Sequence, residues 1–529
     1  MLERSMILPH LLAKRADTDP QRVFLEEVDG ASATYSQLHH EVLTWADAYR
    51  RIGVSAGDNV LVMLPTSIEA TSAWLGLSWL RAIEVPVNTG YRGEMLRYLI
   101  EHSKARTMVL SADYLPQIAE LEPLPSTLST LIVPDLAGPV AGLPYRILNR
   151  EEFLTDAHPD TSLPGPDVSD IATIMYTSGT TGASKGVLMP WGQMHMTASA
   201  DIFIGDFTSV DAYYLPFPLF HISGKGPIYT FLINGGRVVL KKSFRTEEFW
   251  SDIERYQCTT TLLLGAMANF LYRTPVSQSD RDTPLHTVVM VPLIPELEDF
   301  QDRFGVRVST AFNMTEISCP LTSRGWSLPN TTSCGQLREG FELRVVDELD
   351  EPVPTGEVGE LIVRADAPWT LMSGYFDDPE ATNHAWRNGW VHTGDAFRCD
   401  DDGNYYFLER LKDSIRRRGE NISSAEVEAI VSKHPNVLEC AAVAVPSEWG
   451  EDDVMIVVVL QNGTQLKPLE LFEYLVPRMP RFMLPRYIDI AQSLPKTPTE
   501  KVRKVELREA GVSGRTWDRE AKGLDLPVY

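Results

Sequence analysis

The chain lacks any long hydrophobic run. Its longest apolar stretches, such as VMIVVVL at 454–460, have the length of a strand. A membrane span needs roughly 18 to 20 such residues. The N-terminal segment 1–15 carries charges around a very short apolar stretch, without a small-residue cleavage site, so no secretory signal is expected. We therefore expect a cytoplasmic protein with no membrane span.

Positive charge is also scarce. The chain has 48 Lys and Arg against 72 Asp and Glu, which gives a formal net charge of −24. This excess of negative charge repels a nucleic-acid backbone and an anionic lipid surface. Nucleic acid is therefore not an expected partner, and any anionic substrate must meet a local basic patch.

Cysteine is sparse, odd in number and without C-x-x-C spacing, which argues against a disulfide framework and a structural zinc site. Free cysteines are usually buried as small apolar side chains. We expect this for all five, which are Cys258, Cys319, Cys334, Cys399 and Cys440.

The length of 529 residues exceeds what one hydrophobic core usually serves, so two or more domains are expected. From residue 34 helical and strand patterns alternate, with Ser36 as the predicted cap and Gly53 as the predicted stop of an early helix. Strands separated by helices predict right-handed crossovers and a largely parallel sheet covered on both faces. The predicted fold class is α/β.

The pattern changes in the second half of the chain. A β-rich subdomain is predicted around 335–411, as the last part of a large N-terminal domain, 1–411. A small α+β domain is predicted over 412–529, with Ser423 and Glu426 as a capping box. Its last twenty residues are expected to form a loosely held tail.

One segment is rich in glycine and hydroxyl groups, YTSGTTGASKG at 176–186. It matches neither the Walker formula nor G-x-G-x-x-G. Glycines let a backbone approach an anion, hydroxyl groups donate hydrogen bonds, and Lys185 supplies a charge. A flexible linker is the alternative, but apolar strand-like segments lie directly before and after. The pattern favours a phosphate-binding loop.

Two further polar segments suit nucleotide chemistry. In FNMTEIS at 312–318, Glu316 beside Thr315 offers a hard oxygen ligand for a Mg²⁺ ion that is bound to phosphates. The alternative is that this Thr-Glu pair only marks the start of a helix. In GWVHTGDAF at 389–397, Asp395 follows a glycine and can accept the hydroxyl groups of a ribose, or simply form a turn.

Two basic segments run against the acidic trend of the chain. They are ERLKDSIRRRGENISSAEVE at 409–428 and LPKTPTEKVRK at 494–504. Each alone is explained equally well as a solvated basic face. Together in one small domain they predict a movable cap over an anionic substrate.

In this order the five segments resemble the adenylate-forming superfamily, which includes acyl-CoA synthetases, adenylation domains of peptide synthetases, and luciferases. The resemblance extends from about residue 20 to 508, and TYSQL at 34–38 and GVSAGDNVLVMLP at 53–65 also fit it. The loop at 176–186 agrees almost letter for letter, and its joint occurrence with HTGD and GENISSAEVE makes the resemblance specific.

The resemblance implies an ATP site. The loop residues that handle the β- and γ-phosphates are Thr177, Ser178, Gly179, Thr180, Thr181 and Lys185. By the same resemblance, Thr315 and Glu316 meet the α-phosphate and Mg²⁺, with Thr181 also at the metal. Asp395 and Arg410 correspond to the ribose ligands.

The resemblance also implies catalytic and mobile parts. Lys501 corresponds to the lysine that catalyses adenylation, Lys412 to the hinge between the domains, and His221 to a catalytic residue at the mouth of the acid pocket. Gly419, Glu420 and Asn421 correspond to the loop that shapes the thiol tunnel. The expected acid pocket is formed by Phe217, His221, Gly224, Phe312 and Ile317. Lys225 is expected at the surface.

The resemblance implies an ATP-dependent, AMP-forming carboxylate–CoA ligase with Mg²⁺ as cofactor and a homodimer as one expected assembly. A carrier protein is an alternative acyl acceptor, although Arg416 to Arg418 favour free CoA with its additional phosphate. A non-catalytic nucleotide sensor and a luciferase-like oxygenase are rival hypotheses from different functional classes. The mostly apolar pocket predicts an aliphatic, alicyclic or aryl acid.

The sequence departs from the family pattern in three places. MVPLI at 290–294 replaces the usual G-G-A-P segment, Phe312 to Met314 replace Y-G-x, and Glu500 replaces a glycine before Lys501. The first departure, together with RRRGENISSAEVE, is most similar to the crotonobetaine/carnitine-CoA ligase-like branch. This similarity does not identify the acid.

Overall fold

The computed structural model describes residues 2–177, 184–200, 207–326, 328, 330–410, 415–417, 420–422, 424–447, 452–479, 483–497 and 500–523. Over these ranges, none of the helices combines the length and the apolar character that crossing a bilayer requires.

The helices of the described residues are short to medium in length, and most connect strands of the same sheet. They are α1 (Leu8–Thr18), α2 (Tyr35–Arg51), α3 (Ile68–Trp79), α4 (Gly93–His102), α5 (Leu115–Ala119), α6 (Arg150–Leu154), α7 (Trp191–Ala198), α8 (Ile222–Asn234), α9 (Thr246–Arg255), α10 (Gly265–Tyr272), α11 (Leu297–Phe304), α12 (Pro379–Ala385), α13 (Ser424–Val431), α14 (Pro468–Leu475) and α15 (Lys504–Ala510). Two 3₁₀ turns cover Arg4–Met6 and Ala112–Tyr114.

The strands of the first half of the chain alternate with these helices. They are β1 (Val23–Glu27), β2 (Ser32–Thr34), β3 (Asn59–Met63), β4 (Ile83–Pro86), β5 (Thr107–Leu110), β6 (Thr130–Val133), β7 (Arg146–Asn149), β8 (Ile171–Thr177), β9 (Lys185–Pro190), β10 (Ala212–Leu215), β11 (Arg237–Leu240), β12 (Thr260–Leu264), β13 (Thr287–Val291) and β14 (Arg307–Ser309).

The strands of the second half follow one another with few helices between them. They are β15 (Ala311–Met314), β16 (Ser318–Thr322), β17 (Gly335–Leu337), β18 (Phe341–Val346), β19 (Gly359–Ala365), β20 (Gly374–Tyr375), β21 (Trp386–Arg387), β22 (Trp390–Cys399), β23 (Asn404–Arg410), β24 (Ile415–Arg417), β25 (Glu420–Ile422), β26 (Val437–Pro446), β27 (Asp452–Leu460), β28 (Tyr487–Ala491) and β29 (Trp517–Asp518).

Three large sheets organise the first 410 residues. A seven-stranded sheet has the order β14-β13-β12-β10-β11-β1-β2, and it is parallel except at β2. An eight-stranded sheet has the order β20-β9-β8-β4-β3-β5-β6-β7 and is parallel from β8 to β7. The third sheet, β15-β16-β17-β23-β22-β19-β18 with β21 beside β22, is antiparallel. The α/β prediction is confirmed.

The second sheet is buried on both faces, and alternate side chains of its strands belong to two different hydrophobic cores. On β3, Val60 and Val62 belong to a core that also contains residues of α2 and α3. Leu61 and Met63 belong to a separate core with residues of α4 and α5. Successive side chains of a strand point to opposite faces, so helices cover this parallel sheet on both sides.

The start of α2 corrects one prediction. The Thr34 side chain accepts a hydrogen bond from the Gln37 backbone, and the Gln37 side chain accepts one from the Thr34 backbone. This reciprocal capping box places the helix start at Tyr35. The prediction that Ser36 is the cap was therefore wrong, whereas Gly53 follows the helix end with a φ of +94°.

The C-terminal residues form a separate small sheet. β26 and β27 are antiparallel, β27 and β28 are parallel, and β29 adds at the edge of β28. Because Trp517–Asp518 is this edge strand and Arg519 is buried, the prediction of a loose tail was wrong there. The capping box at Ser423 and Glu426 lies outside the described residues and side chains. The limits 1–411 and 412–529 remain a prediction.

Candidate functional site

The predicted phosphate loop connects two strands of the second sheet. β8 and β9 are antiparallel, and Thr177 pairs with Lys185 at the end of their ladder. β8 also pairs in parallel with β4, through Thr173 and Glu84. The loop therefore leaves the sheet at the carboxyl ends of parallel strands, where ligand crevices form. Ser178, Gly179, Thr180 and Thr181 lie outside the described residues.

Aromatic side chains from α4 support the base of this hairpin. The Tyr98 hydroxyl donates a hydrogen bond to the Ser184 carbonyl at 3.1 Å. The Tyr176 hydroxyl lies 2.7 Å from Nδ1 of His102. Sequence reasoning missed these residues because no local pattern links α4 to the loop.

Thr315 and Glu316 occupy the turn between β15 and β16, and other elements hold their backbone. Nε2 of Gln193, on α7, donates to the Thr315 carbonyl at 2.7 Å. The Met372 N–H donates to the Glu316 carbonyl at 3.0 Å. These two hydrogen bonds fix the backbone of the turn, and the role of Glu316 at Mg²⁺ remains a prediction.

Tyr375 links two of the predicted site residues, although sequence reasoning missed it. Its hydroxyl donates to Oε1 of Glu316 at 3.2 Å. Nζ of Lys185 lies 5.1 Å from the centre of its ring. The sequence signal is weak, a Gly-Tyr pair within the short segment LMSGYF at 371–376.

Asp395 and Arg410, the predicted ribose ligands, are direct partners in the ladder between β22 and β23. Asp395 is only 3% exposed, and its N–H donates to Oγ1 of Thr393 at 3.1 Å. The side chain of Arg410 lies outside the description. The two backbones lie opposite each other, and the role of both residues as ribose ligands remains a prediction.

Glu360 holds the HTGD segment and was also missed. Its Oε1 accepts a hydrogen bond from the Gly394 N–H at 2.9 Å, and its Oε2 lies 2.9 Å from Nδ1 of His392. Arg387 forms an ion pair with the same carboxylate at 3.0 Å. Glu360 therefore fixes the chain directly before Asp395.

His221 caps the N-terminus of α8. Its Nδ1 accepts the Ser223 N–H at 3.1 Å, so Nδ1 carries no proton and the neutral ring has its hydrogen on Nε2. Burial, and after it the charge of Lys501, lowers the pKa of His221 to about 4. A charge of the C-terminal part thus contributes to the electrostatic environment of a residue of the large N-terminal part.

The loop before Lys501 is closed by its own hydrogen bonds. The Thr497 N–H donates to the Lys501 carbonyl at 2.7 Å, and the Lys501 N–H donates to Oγ1 of Thr497 at 3.1 Å. Glu500 has a φ of +59°, in the left-handed region, and its carboxylate lies 3.1 Å from Nζ of Lys496. The left-handed conformation explains why the family pattern has glycine there.

Three of the predicted acid-pocket residues lie in or against one core. Phe217 and Ile317 are buried, and Phe312 packs against the same cluster. The ring centre of Phe312 is 4.9 Å from that of Phe397, two residues after Asp395. A Cβ atom on Gly224 would lie 2.2 Å from the Pro218 carbonyl oxygen, so close backbone packing requires this glycine.

Lys225 corrects the prediction of a surface residue. It is 0% exposed, its Nζ lies 2.8 Å from Oε1 of Glu84, and it sits 3.7 Å from the Trp74 ring centre. Oε2 of Glu84 accepts a hydrogen bond from Thr173 at 3.2 Å. Burial lowers the pKa of Lys225 and raises the pKa of Glu84. The signal was Glu84 itself, a carboxylate within an otherwise apolar strand.

The hinge and tunnel residues are only partly described. Lys412 and Gly419 lie outside the described residues. Glu420 and Asn421 form backbone pairs with Arg417 and Arg416 across β24 and β25, and their side chains are outside the description. Their predicted roles remain predictions.

The metal prediction rests on few protein ligands. Within the described ranges, no group of three or more His, Cys, Asp or Glu could hold a metal ion. A Mg²⁺ ion bound mainly to substrate phosphates needs only one or two carboxylates, and Glu316 is the predicted one. The donor chemistry therefore fits Mg²⁺ held between protein and nucleotide.

Comparison with family models decides the family. The model described as AMP-binding enzyme matches residues 12–376, and the model of its C-terminal domain matches residues 426–501. The chain belongs to the AMP-binding enzyme family. The resemblance drawn from the sequence is thereby confirmed.

Sequence relatives of this AMP-binding enzyme include crotonobetaine/carnitine–CoA ligases. The protein of Salmonella agona is 29% identical over 491 residues, covering 90% of this chain and 93% of the relative. The protein of Escherichia coli is 28% identical over 488 residues, with the same coverage. The predicted similarity to this branch is confirmed.

Solved structures share the fold of this AMP-binding enzyme. An anthranilate CoA ligase in complex with anthranoyl-AMP has a TM-score of 0.84 at 23% identity, covering 96% of this chain and 97% of that one. A benzoate CoA ligase from Burkholderia xenovorans has a TM-score of 0.83 at 22% identity, covering 96% and 100%. Together with the family models, they confirm a large N-terminal α/β domain followed by a small C-terminal domain.

Proposed function

We propose that this AMP-binding enzyme is an ATP-dependent, AMP-forming carboxylate–CoA ligase. An acid and ATP give acyl-AMP and pyrophosphate, and CoA then gives acyl-CoA and AMP. The observation that carries this proposal is the match of both parts of the chain to the AMP-binding enzyme family, with the Thr177–Lys185 pair at the carboxyl end of β8 as the predicted phosphate site. Burial, and after it the charge of Lys501, lowers the pKa of His221, which is consistent with a cation of the C-terminal part acting at the proposed acid pocket.

The first half-reaction needs charge compensation. A carboxylate oxygen attacks the α-phosphorus, the bond between this phosphorus and the bridging oxygen breaks, and pyrophosphate leaves. Two anions must approach each other, so a positioned cation stabilises the transition state. Lys501 supplies this charge. Thr177 and Lys185, which flank the loop between β8 and β9, hold the β- and γ-phosphates.

Glu316 and Thr181 would hold Mg²⁺, which when bound neutralises charge on the transferring phosphoryl group. Thr315, in the same turn, faces the α-phosphate in this proposal. Asp395 and Arg410 hold the ribose from adjacent strands.

The second half-reaction needs a different arrangement of the small domain. The CoA thiol releases its proton to solvent, its sulfur forms a bond to the acyl carbon, and AMP leaves as the bond between the acyl carbon and the phosphate oxygen breaks. We propose that residues 412–529 rotate about Lys412 against residues 1–411. The loop of Gly419, Glu420 and Asn421 then replaces Lys501 and lines the thiol tunnel. Hinge motions of this kind are common in domain closure.

The acid is proposed to be aliphatic, alicyclic or aryl. Phe217, Phe312 and Ile317 support an apolar pocket, and His221 is a neutral donor at its mouth through Nε2. We place the reaction in the cytoplasm and take a homodimer as the assembly to test.

CoA is favoured over a carrier protein as acceptor. The relatives and the solved neighbours described above are named as CoA ligases. The basic run Arg416 to Arg418 also suits the additional phosphate of CoA. Thioester formation with free CoA, compared with a carrier protein bearing phosphopantetheine, distinguishes the two acceptors.

The decisive experiment is a pyrophosphate-release screen with short, medium, long, aromatic and polycyclic acids. With the acid found, Lys501→Ala should slow pyrophosphate release by roughly 100- to 1,000-fold, about 3 to 4 kcal/mol. Lys433→Ala is the matched control, because Lys433 is an exposed lysine of the same small domain. Full activity of the Lys501 variant, or ATP binding without release for any acid, would contradict the proposal.

A second variant tests the domain rotation. Lys412→Pro should slow thioester formation and leave pyrophosphate release in the first half-reaction largely intact. Equal loss in both half-reactions would argue against a hinge at this residue.

A further inference from the structure

Tyr375 lies beside the phosphate hairpin because β20 extends the same sheet. Tyr375 pairs with Val187 of β9, and the Phe376 N–H donates to the Gly186 carbonyl at 2.7 Å. Lys185 is two residues before Val187, so its side chain is the diagonal neighbour of Tyr375 on the same face. The register of the sheet therefore sets this contact.

The two ends of the Tyr375 side chain contact groups of opposite charge. The ammonium nitrogen of Lys185 lies 5.1 Å from the ring centre, within the range of a cation–π interaction. The hydroxyl donates to the Glu316 carboxylate at 3.2 Å. A hydrogen bond to a charged acceptor is stronger than one between neutral groups.

The backbone around Tyr375 is held as firmly as its side chain. The Tyr375 N–H donates to Oγ1 of Thr382 at 2.8 Å, on α12. The Met372 N–H donates to the Glu316 carbonyl at 3.0 Å, so the segment before β20 also fixes the backbone of Glu316. Tyr375 is thus a rigid spacer between two separate parts of the chain.

We propose that Tyr375 is a positioning residue that fixes the Glu316 carboxylate relative to Lys185. The inference rests on the function proposed above, in which Lys185 holds the outer phosphates and Glu316 holds the metal ion. Without this hydrogen bond the Glu316 carboxylate samples more rotamers. Binding of the metal ion must then order the side chain, and the entropic cost of this ordering reduces the affinity for the metal ion. Tyr375 itself acts through these two residues.

The test compares two variants by calorimetric titration with ATP, which needs no turnover. Tyr375→Phe keeps the ring and removes the hydroxyl group. Mg²⁺ should strengthen ATP binding in both the wild type and this variant. The Mg²⁺ concentration that gives half of the maximal increase in ATP affinity should be about tenfold higher in Tyr375→Phe, equivalent to about 1.4 kcal/mol. ATP binding in the presence of a chelator should not change. Tyr375→Leu also removes the ring and should weaken metal-free ATP binding about threefold.

Tyr145→Phe is the matched control. The Tyr145 hydroxyl donates to the Pro125 carbonyl at 3.0 Å, so this variant also removes a bonded hydroxyl, from residues outside the site. The control should leave the Mg²⁺ dependence unchanged. An equal shift in both variants would show a general loss of structure and overturn the assignment.

A double variant tests whether the hydroxyl acts through Glu316. In a Glu316→Gln background, adding Tyr375→Phe should cause no further change in Mg²⁺ dependence. A full tenfold effect in that background would overturn the proposal. Should Tyr375→Phe fail to fold, 3-fluorotyrosine at position 375 keeps the hydroxyl group, and its fluorine signal should move when Mg²⁺ is added to the ATP complex. An unmoved signal would overturn the proposal.

The inference and the proposed function fail in different ways. Wild-type protein that does not bind ATP with Mg²⁺ would contradict the proposed function. Wild-type binding that Tyr375→Phe leaves unchanged would overturn only the role of Tyr375.

Discussion

The ammonium nitrogen of Lys225 lies 2.8 Å from a carboxylate oxygen of Glu84, and both side chains are buried, at 0% and 2% exposure. The pair joins α8, which begins after His221, to β4, the neighbour of the strand that ends at Thr177. Burying two charges is costly unless they are paired, so the pair fixes how these elements meet.

This relationship predicts unequal effects of single and double variants. Lys225→Met or Glu84→Leu alone should lower the free energy of unfolding by about 3 to 5 kcal/mol, because each leaves a buried charge without its partner. The double variant should recover most of this loss. Urea unfolding measures all three. Lys104→Met is the control, since Lys104 and Asp377 form an exposed pair whose loss should leave the free energy of unfolding nearly unchanged. Additive losses in the double variant would contradict the coupling.

The neutral state of His221 predicts the pH dependence of activity. Because its pKa is lowered to about 4, the ring stays neutral throughout the pH range from 5 to 8. The rate of pyrophosphate release should show no inflection from His221 there. His221→Gln should change the rate of pyrophosphate release by the same factor at every pH between 5 and 8, so the shape of the pH–rate profile should stay the same. A step near the ordinary histidine pKa that disappears in this variant would contradict the prediction.

The same pKa also predicts a change in stability. In the unfolded chain His221 titrates near 6.5, so the unfolded state binds more protons than the folded state between about pH 6.5 and 4. Stability should therefore fall as the pH falls through this window. His221→Gln should reduce this slope without removing it, since burial also lowers the pKa of His195 to about 4. Urea midpoints at pH 7 and 5 measure the effect, and an unchanged slope would count against it.

The close packing of Gly224 predicts a severe effect of one methyl group. A Cβ atom would lie 2.2 Å from the Pro218 carbonyl oxygen, and this oxygen also accepts the His221 N–H at 3.2 Å. Gly224→Ala should cost about 1 to 3 kcal/mol of stability and displace His221, so the KM for the acid should rise. Gly138→Ala, whose Cβ meets no atom within 4 Å, should stay within about 0.5 kcal/mol of wild type. Similar stabilities of the two variants would contradict the close approach.

The left-handed conformation of Glu500 predicts a ranking of substitutions. This conformation costs about 1 to 2 kcal/mol for a residue with a Cβ atom, and β-branched side chains tolerate it least. Glu500→Gly should therefore keep near wild-type pyrophosphate release, and Glu500→Val should slow it by opening the turn closed between Thr497 and Lys501. Circular dichroism of both variants checks that they fold. Equal rates of the Gly and Val variants would refute the role of this turn.

Local patterns predicted the features that local chemistry determines. The strand that ends at Thr177 and the strand that begins at Lys185 are each apolar and adjacent to the loop, so both strands could be inferred from the sequence, whereas their antiparallel pairing was not predicted. The capping of α2 was misplaced by two residues because Thr34 and Ser36 are both suitable caps, and the spacing to Gln37 decides between them.

Distant contacts could not be predicted in this way. Lys225 was expected at the surface because lysine usually lies there, and its partner Glu84 is 141 positions away in the sequence. Tyr375 reaches Glu316 across 59 positions. Such contacts arise only when sheets and helices pack, and neither composition nor periodicity specifies them.

The pairing of Asp395 with Arg410 shows which part of the hairpin between β22 and β23 can vary and which part must keep its length. The turn that joins their strands, around 400–403, lies at the far end of the ladder. Insertions at that tip leave the two residues opposite each other, whereas a slip of one position within the strands would turn one of them to the other face. The length and sequence of the turn can therefore vary, whereas the number of residues between the turn and each of the two paired positions must stay the same.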